Sequence, residues 1–254
     1  MISIVVIGFG NVGSHLCQAF QNAEEVALVQ IYNRSEISLP ESLQAIAVTH
    51  SISGLAKADV YLLALPDDII SEFSSKLPKS DTLVVHTSGG VSMNSLNRDN
   101  HRGVFYPLQS FSKSRKPEFK KIPICIEAEH HSDLNLLQEL GESISEKVVA
   151  ISSEERGRLH LSAVFVNNFV NHMYHISETM LEEADLDFDL LKPLIRETAH
   201  KIESMSASNA QTGPALRGDT KTLEKHLHLL KDSPYKEIYE QLTSSIQETY
   251  GKKL

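Results

Sequence analysis

Ile2-Ser3-Ile4-Val5-Val6-Ile7-Gly8-Phe9-Gly10-Asn11-Val12-Gly13 is the stretch that decides the fold. A β-branched apolar run ends in a complete G-x-G-x-x-G, and Leu16, Ala19 and Phe20 then recur at helical spacing. This is a strand, a tight turn and a helix, the context in which the glycine triplet binds a dinucleotide. Gly8 permits the turn, Gly10 removes the Cβ that would block a pyrophosphate, and Gly13 lets helix and strand pack closely. The helix N-terminus offers unpaired N–H groups to the phosphates, with Phe9, Asn11 and Val12 completing the turn. A purely structural glycine turn is the competing reading.

Outward from this unit, β-branched runs alternate with helical segments as far as residue 152. Strands are expected at Ile2–Ile7, Val26–Tyr32, Val60–Leu65, Thr82–His86, Gly103–Phe105, Ile122–Ile126 and Val148–Ile151, with helices at Val12–Asn22, Asp67–Lys76 and Ser132–Glu146. From Ser153 onward the β runs stop and long helical patterns take over. The expected fold class is therefore α/β plus all-α: a Rossmann-type, mostly parallel sheet over 1–152, followed by an all-helical domain over 153–254 for substrate and dimerisation.

Composition narrows the function. The net charge of −9 has the wrong sign for nucleic acid or anionic lipid, and no apolar run reaches the ~18 residues of a membrane span. Met1 to Ile7 has neither the basic start nor the small-residue cleavage site of a secretion signal. Cys17 and Cys125 form no C-x-x-C pair, so a reducing cytoplasm fits best. The basic stretch Lys113 to Lys121 reads as a solvated loop.

The second strand chooses the cofactor. An NAD site presents a carboxylate about twenty residues past the glycines, whereas this strand ends in Asn33-Arg34-Ser35. Arg34 can pair with a 2′-phosphate while Asn33 and Ser35 add neutral hydrogen bonds, so NADP is preferred over NAD. A surface arginine is the bland alternative. The next two strands end in Ala64-Leu65-Pro66-Asp67 and His86-Thr87-Ser88-Gly89, at the carboxyl edge beside the glycine turn. Asp67 reads first as a helix cap, and Thr87 and Ser88 either shape a turn or touch nicotinamide and substrate. Ser88 lacks the G-x-S-x-G elbow of a covalent nucleophile.

At these residues the chain resembles the superfamily of 6-phosphogluconate and β-hydroxyacid dehydrogenases and pyrroline-5-carboxylate reductase, in which a helical half follows a Rossmann half. The runs His86-Thr87-Ser88-Gly89, Tyr106-Pro107-Leu108-Gln109-Ser110-Phe111, His160-Leu161-Ser162-Ala163-Val164-Phe165-Val166-Asn167-Asn168 and Thr212-Gly213-Pro214-Ala215-Leu216-Arg217-Gly218-Asp219 resemble, over nearly the whole chain, a bacterial family labelled NADP oxidoreductase. Its helical half is a domain of unknown function. The resemblance implies a cofactor domain, a dimer-forming helical domain, and a place for Gln109 on the substrate side.

At about 100° per residue, His160, Val164, Asn167, Asn168, Asn171 and His175 share one helix face, while Leu159, Phe165, Val166, Phe169 and Met173 lie elsewhere and can bury. The polar stripe is a seam between helices or the wall of a cleft. The related dehydrogenases carry a lysine on the corresponding helix, and this sequence has none between Lys147 and Lys192. His160 is the candidate replacement as proton donor, with Asn167 or Asn168 orienting substrate. Arg217 can hold a substrate carboxylate or pair with Asp219, itself an expected helix cap. His172 with His175 and His226 with His228 lack a third ligand, so no metal is expected.

These observations describe an NADP(H)-dependent oxidoreductase moving hydride to or from a small carbonyl, imine or hydroxy-acid substrate. A non-catalytic dinucleotide sensor or scaffold and an NADP:deazaflavin oxidoreductase are the alternatives.

Overall fold

The computed structural model describes residues 1–251. The chain divides into two compact units, Met1–Asn168 and Phe169–Leu254.

The first unit is built on an eight-stranded sheet: β1 (Ile2–Ile7), β2 (Val26–Tyr32), β3 (Ala47–Thr49), β4 (Val60–Leu63), β5 (Leu83–His86), β6 (His101–Pro107), β7 (Ile124–Ala128) and β8 (Val148–Ala150). The spatial order is β3-β2-β1-β4-β5-β6-β7-β8, so strand order reverses between β1 and β4. That reversal is the crevice where doubly wound sheets bind ligands. In β1, Ile4 and Val6 face one core with Leu16, Phe20 and Phe105, while Val5 and Ile7 face another with Tyr61, Leu63 and Ile70. Burial on both faces explains why the strand runs are almost uninterrupted apolar sequence.

The sequence did not announce β3, an edge strand of three residues whose Ala47 and Val48 are exposed. β7 runs antiparallel to β6, the one antiparallel pairing among the described strands. The basic stretch between them has Lys113, Arg115, Lys116, Lys120 and Lys121 exposed, as expected of a solvated loop, and is anchored by Phe111 and Phe119 against the core and by His15 Nε2, 3.0 Å from the Ser112 carbonyl oxygen. Helices α1 (Asn11–Gln21), α2 (Ile70–Ser75) and α3 (His131–Glu142) connect the strands. Before α2, Asp67 lies inside a 3₁₀ turn with Pro66 at the cap position, so the expected Asp67 cap does not form.

Next comes α4 (Ser153–Ala163), opened by a reciprocal capping box between Ser152 and Glu155. Strands therefore end where composition expected, near 152, while the compact unit extends to Asn168. The reason is that Arg156 is buried and Leu159 packs on Val104, Tyr106 and Cys125. A π-helical segment follows over Val164–Phe169. Its i→i+5 bonding advances each residue by less than the α-helical 100°, so a single wheel does not run through it. Phe165, Val166 and Phe169, expected to bury, are exposed.

The second unit holds α5 (Val170–Glu182), α6 (Lys192–Ser204), α7 (Ala207–Ala210), α8 (Pro214–Arg217), α9 (Thr220–Leu229) and α10 (Lys236–Tyr250). Among the described residues it contains no strand, and its buried apolar side chains are Ile176, Ala215, Leu223 and Leu230. No helix among the described residues is long and apolar enough to cross a membrane.

Candidate active site

The glycine turn adopts the form that its sequence requires. Gly8 has φ +101°, and a Cβ there would press on the Ala64 carbonyl, while one at Gly13 would strike the carbonyl of Gly8. A Cβ at Gly10 would meet nothing within 4 Å, so open space lies before the start of α1. No side chain caps that helix and no carboxylate stands in its first turn, which Asn11, Val12 and Gly13 begin. An anion's natural place there is uncontested.

Asn33 ties the turn to the end of β2. Its Oδ1 accepts from the Phe9 N–H at 3.1 Å, while its Nδ2 donates to the Ser35 carbonyl at 2.8 Å and Oγ at 3.3 Å. Its Nδ2 is thus committed to Ser35, while Oδ1 keeps a second lone pair with which to accept from a cofactor hydroxyl. Arg34, next in the chain, is exposed and forms no ion pair among the described residues.

Along the carboxyl edge, Ala64 N–H donates to the Ile7 carbonyl at 2.8 Å and Thr87 N–H to the Leu63 carbonyl at 3.2 Å. Leu65 is half-buried beside the exposed Pro66. Ser88 is buried, and its Oγ accepts from Gly90 and Val91 N–H at 3.1 Å each. That is a turn-shaping role, and it leaves the Ser88 hydroxyl proton to donate.

Beyond β5, Gly89 packs against two rings. A Cβ on it would lie 2.6 Å from His160 Nδ1 and 2.8 Å from Tyr106 Cζ. Tyr106, at the end of β6, places its hydroxyl 3.2 Å from His160 Nδ1. Burial, with the Cys125 thiol adding a smaller push, raises the Tyr106 pKa, so the phenol keeps its proton and can meet Nδ1 as donor or acceptor, according to the protonation of the ring. Asp67 Oδ2 and His160 Cδ2 flank Gly90, each 3.8 Å from where its Cβ would stand. His160, Asn167, Asn168, Gln109 and Tyr106 line a groove of about 490 Å³. Gln109 turns its Oε1 onto the Ser110 N–H at 2.9 Å.

Sequence reading missed the group that seats α4. Arg156, 1% exposed, is paired with Glu127 of β7 and donates to the Val91 carbonyl at 2.6 Å and Ser153 Oγ at 3.1 Å. Glu127 also accepts from Ser153 N–H and Oγ, at 3.0 and 2.7 Å. His86, fully buried, accepts the Ser88 N–H on Nδ1 at 3.2 Å, and its Nε2 has no partner. Burial first, and the Arg156 charge second, lower its pKa to about 4. A carboxylate closing an apolar strand, Ile124-Cys125-Ile126-Glu127, was the one available signal.

In the second unit, Arg217 ends α8 on the surface. The Asp219 side chain caps α9 through Thr222, as expected, and no Arg217–Asp219 ion pair forms among the described residues. His172 and His175 stand with ring centroids 6.4 Å apart, and His226 Nδ1 is bonded to the Tyr239 hydroxyl at 2.8 Å. Neither pair belongs to a three-ligand group among the described residues.

Comparison with known proteins follows the same division. Residues 1–109 match a Rossmann-like domain and residues 122–246 match a domain of unknown function, DUF2520. No curated protein matches the chain. A Bacteroides fragilis crystal structure described as a "putative NADP oxidoreductase" is 37% identical over 97% of this chain and 98% of that one, with a TM-score of 0.87. The pyrroline carboxylate reductase of Plasmodium falciparum, solved with NADP, is 14% identical over 98% and 97%, with a TM-score of 0.63. A reductive aminase of Aspergillus terreus, solved with NADPH and ethyl levulinate, is 9% identical over 100% and 95%, with a TM-score of 0.72. The last two are likenesses of fold.

Proposed function

This chain belongs to the family that joins a Rossmann-like domain to a DUF2520 domain, and on that premise we propose that it is an NADP(H)-dependent oxidoreductase acting on a small carbonyl, imine or hydroxy-acid compound. The observation that carries this reading is the pairing of Tyr106 and His160 against Gly89, on the sheet edge that also bears the glycine turn.

The chain's own groups suit NADP. The open start of α1 takes the pyrophosphate, and Arg34 the 2′-phosphate. When bound, the cofactor supplies or accepts hydride at its nicotinamide ring. As an imidazolium, His160 donates its Nε2 proton to the oxygen or nitrogen that gains charge as a C=O or C=N bond is reduced, is left as neutral imidazole, and takes the proton back in the reverse direction. Tyr106 holds the ring in place through Nδ1. Asn167, Asn168 and Gln109 line the same groove and orient the substrate, and the Ser88 hydroxyl donates to it. In this role the histidine takes the place of the lysine of related dehydrogenases.

Parallel titration with NADPH and NADH tests the assignment. Charged hydrogen bonds contribute roughly 1.5–3 kcal/mol, so Arg34→Ala weakens NADPH binding about 10–100-fold and barely changes NADH. Equal losses for both refute the 2′-phosphate role, and no binding of either refutes the function.

The helical unit supports a further assignment, a homodimer. Leu190, Leu194 and Leu229 are 69%, 61% and 79% exposed, more apolar surface than its few buried side chains balance. A strictly monomeric mass by light scattering rejects this.

A further inference from the structure

We propose that His101, His130 and Asp133 form a binding site for one divalent cation of zinc's class, at the end of the sheet opposite the glycine turn. β6 begins at His101, and six residues later its other end carries Pro107, beside Tyr106. The proposal is therefore independent of the cofactor and of the proton donor.

The topology assembles the three residues. β6 and β7 pair antiparallel with Gly103 opposite Ala128, and Glu129 N–H donates to the Arg102 carbonyl at 3.1 Å. Continuing this register sets His101 across from His130, the residue that precedes α3. Asp133 lies three residues further on, in the first turn of that helix. The imidazoles of His101 and His130 stand with centroids 4.9 Å apart, and one ligand atom from each of the three residues falls within 4.8 Å of the others.

Asp133 itself points to a ligand. It is 7% exposed, and its Oδ2 receives no hydrogen bond. That atom is 3.0 Å from His101 Nδ1, close enough for an ion pair but without the alignment of a donated N–H. A buried carboxylate oxygen without a donor is costly, and a cation between it and the imidazole removes the cost. In a tetrahedral site with bonds of about 2.0–2.1 Å, neighbouring donor atoms lie about 3.3 Å apart. His101 and Asp133 already meet that spacing. His130 is exposed and makes no side-chain cap bond, so its ring is unencumbered in closing the remaining distance.

Two imidazole nitrogens and one carboxylate oxygen suit Zn²⁺ or Co²⁺ rather than Ca²⁺ or Mg²⁺, with water as fourth ligand. The positive end of α3 opposes a cation there, and the full negative charge of Asp133 outweighs that partial charge. The adjacent Glu129 is committed to Arg102, whose Nε and Nη2 bond it at 2.9 and 2.8 Å. Since His130 precedes α3 and His101 opens β6, an ion would lock the β7–α3 turn to the sheet.

The test is equilibrium dialysis of the full-length, untagged protein against Zn²⁺, with Co²⁺ absorption as a second readout of tetrahedral geometry. The expected result is one ion per chain. Altering a group that merely orients a ligand costs 10–100-fold in affinity, so removing a ligand by His130→Ala or Asp133→Asn costs at least about 100-fold. His131→Ala, the exposed neighbour, retains binding and controls for histidine content. His130→Ala removes only a surface ring, so its fold is not at risk. No uptake at up to about 1 mM Zn²⁺, uptake unchanged in His130→Ala, or a loss shared by His131→Ala overturns the site.

Discussion

Gly89 and His160 are in such close register that a single methyl group on Gly89 would stand 2.6 Å from the imidazole Nδ1. The absence of a side chain at Gly89 thus sets how near the ring of α4 comes to the edge of the sheet.

Gly89→Ala must push the His160 ring aside. A misplacement near 1 Å costs on the order of 100-fold in turnover, so kcat for NADPH oxidation with an identified carbonyl or imine falls about 10–100-fold while NADPH affinity holds within about 2-fold. Gly90→Ala is the control, since its Cβ would meet only ordinary contacts at 3.8 Å. Equal losses in the two variants would refute the positioning role.

Removing the proposed acid gives a larger effect. His160→Ala lowers kcat by about 100–10,000-fold, the usual contribution of a positioned proton donor. Tyr106→Phe keeps the ring but loses the bond to Nδ1, so kcat falls less and the pH–rate profile shifts, because the imidazole loses a hydrogen-bond partner. An unchanged profile in Tyr106→Phe would show that the phenol only packs.

The glycine turn was legible because the cofactor demands a local pattern: Gly8, Gly10 and Gly13 lie within six residues and carry their geometry with them. The strands of the sheet interior were equally plain, since burial on both faces leaves nothing but apolar sequence. Three features were not. β3 is too short and exposed to leave a pattern. Tyr106 and His160 meet across 54 residues, a pairing that only the fold creates. The π segment breaks the helical period from within: Val164 to Phe169 look like ordinary helix, so Phe165, Val166 and Phe169 were assigned to a buried face that the wider winding does not give them.

Arg156 and Glu127 yield a stability prediction. Breaking a buried ion pair from one side costs about 3–5 kcal/mol, because the abandoned charge stays desolvated. Arg156→Met loses about that much in chemical denaturation, and adding Glu127→Gln restores a large part of it. If the double variant is no more stable than the single, the pair is not the source.

His86 makes stability depend on acid. Its folded pKa of about 4 lies below the ordinary 6.5, so the native state holds it neutral and the unfolded state protonates first. The contribution is complete above pH 6.5 and is lost as pH falls toward 4, at most about 3 kcal/mol at 1.4 kcal/mol per unit. His86→Asn, whose amide oxygen can still accept the Ser88 N–H, shows a shallower decline over that window. Parallel curves for the two proteins would exclude His86 as the cause.

The bond between Glu127 and Arg156 also determines how the gene for such a protein can be cut and recombined. A chimaera joined at residue 152, where the strands cease, would strip Glu127 of its cation and Gly89 of the ring it was shaped to admit. A seam after Asn168 carries Arg156 and His160 along with the sheet. Whatever helical partner is then grafted on, the sheet unit arrives with the proposed proton donor already installed, together with Gln109, Asn167 and Asn168 of the same groove.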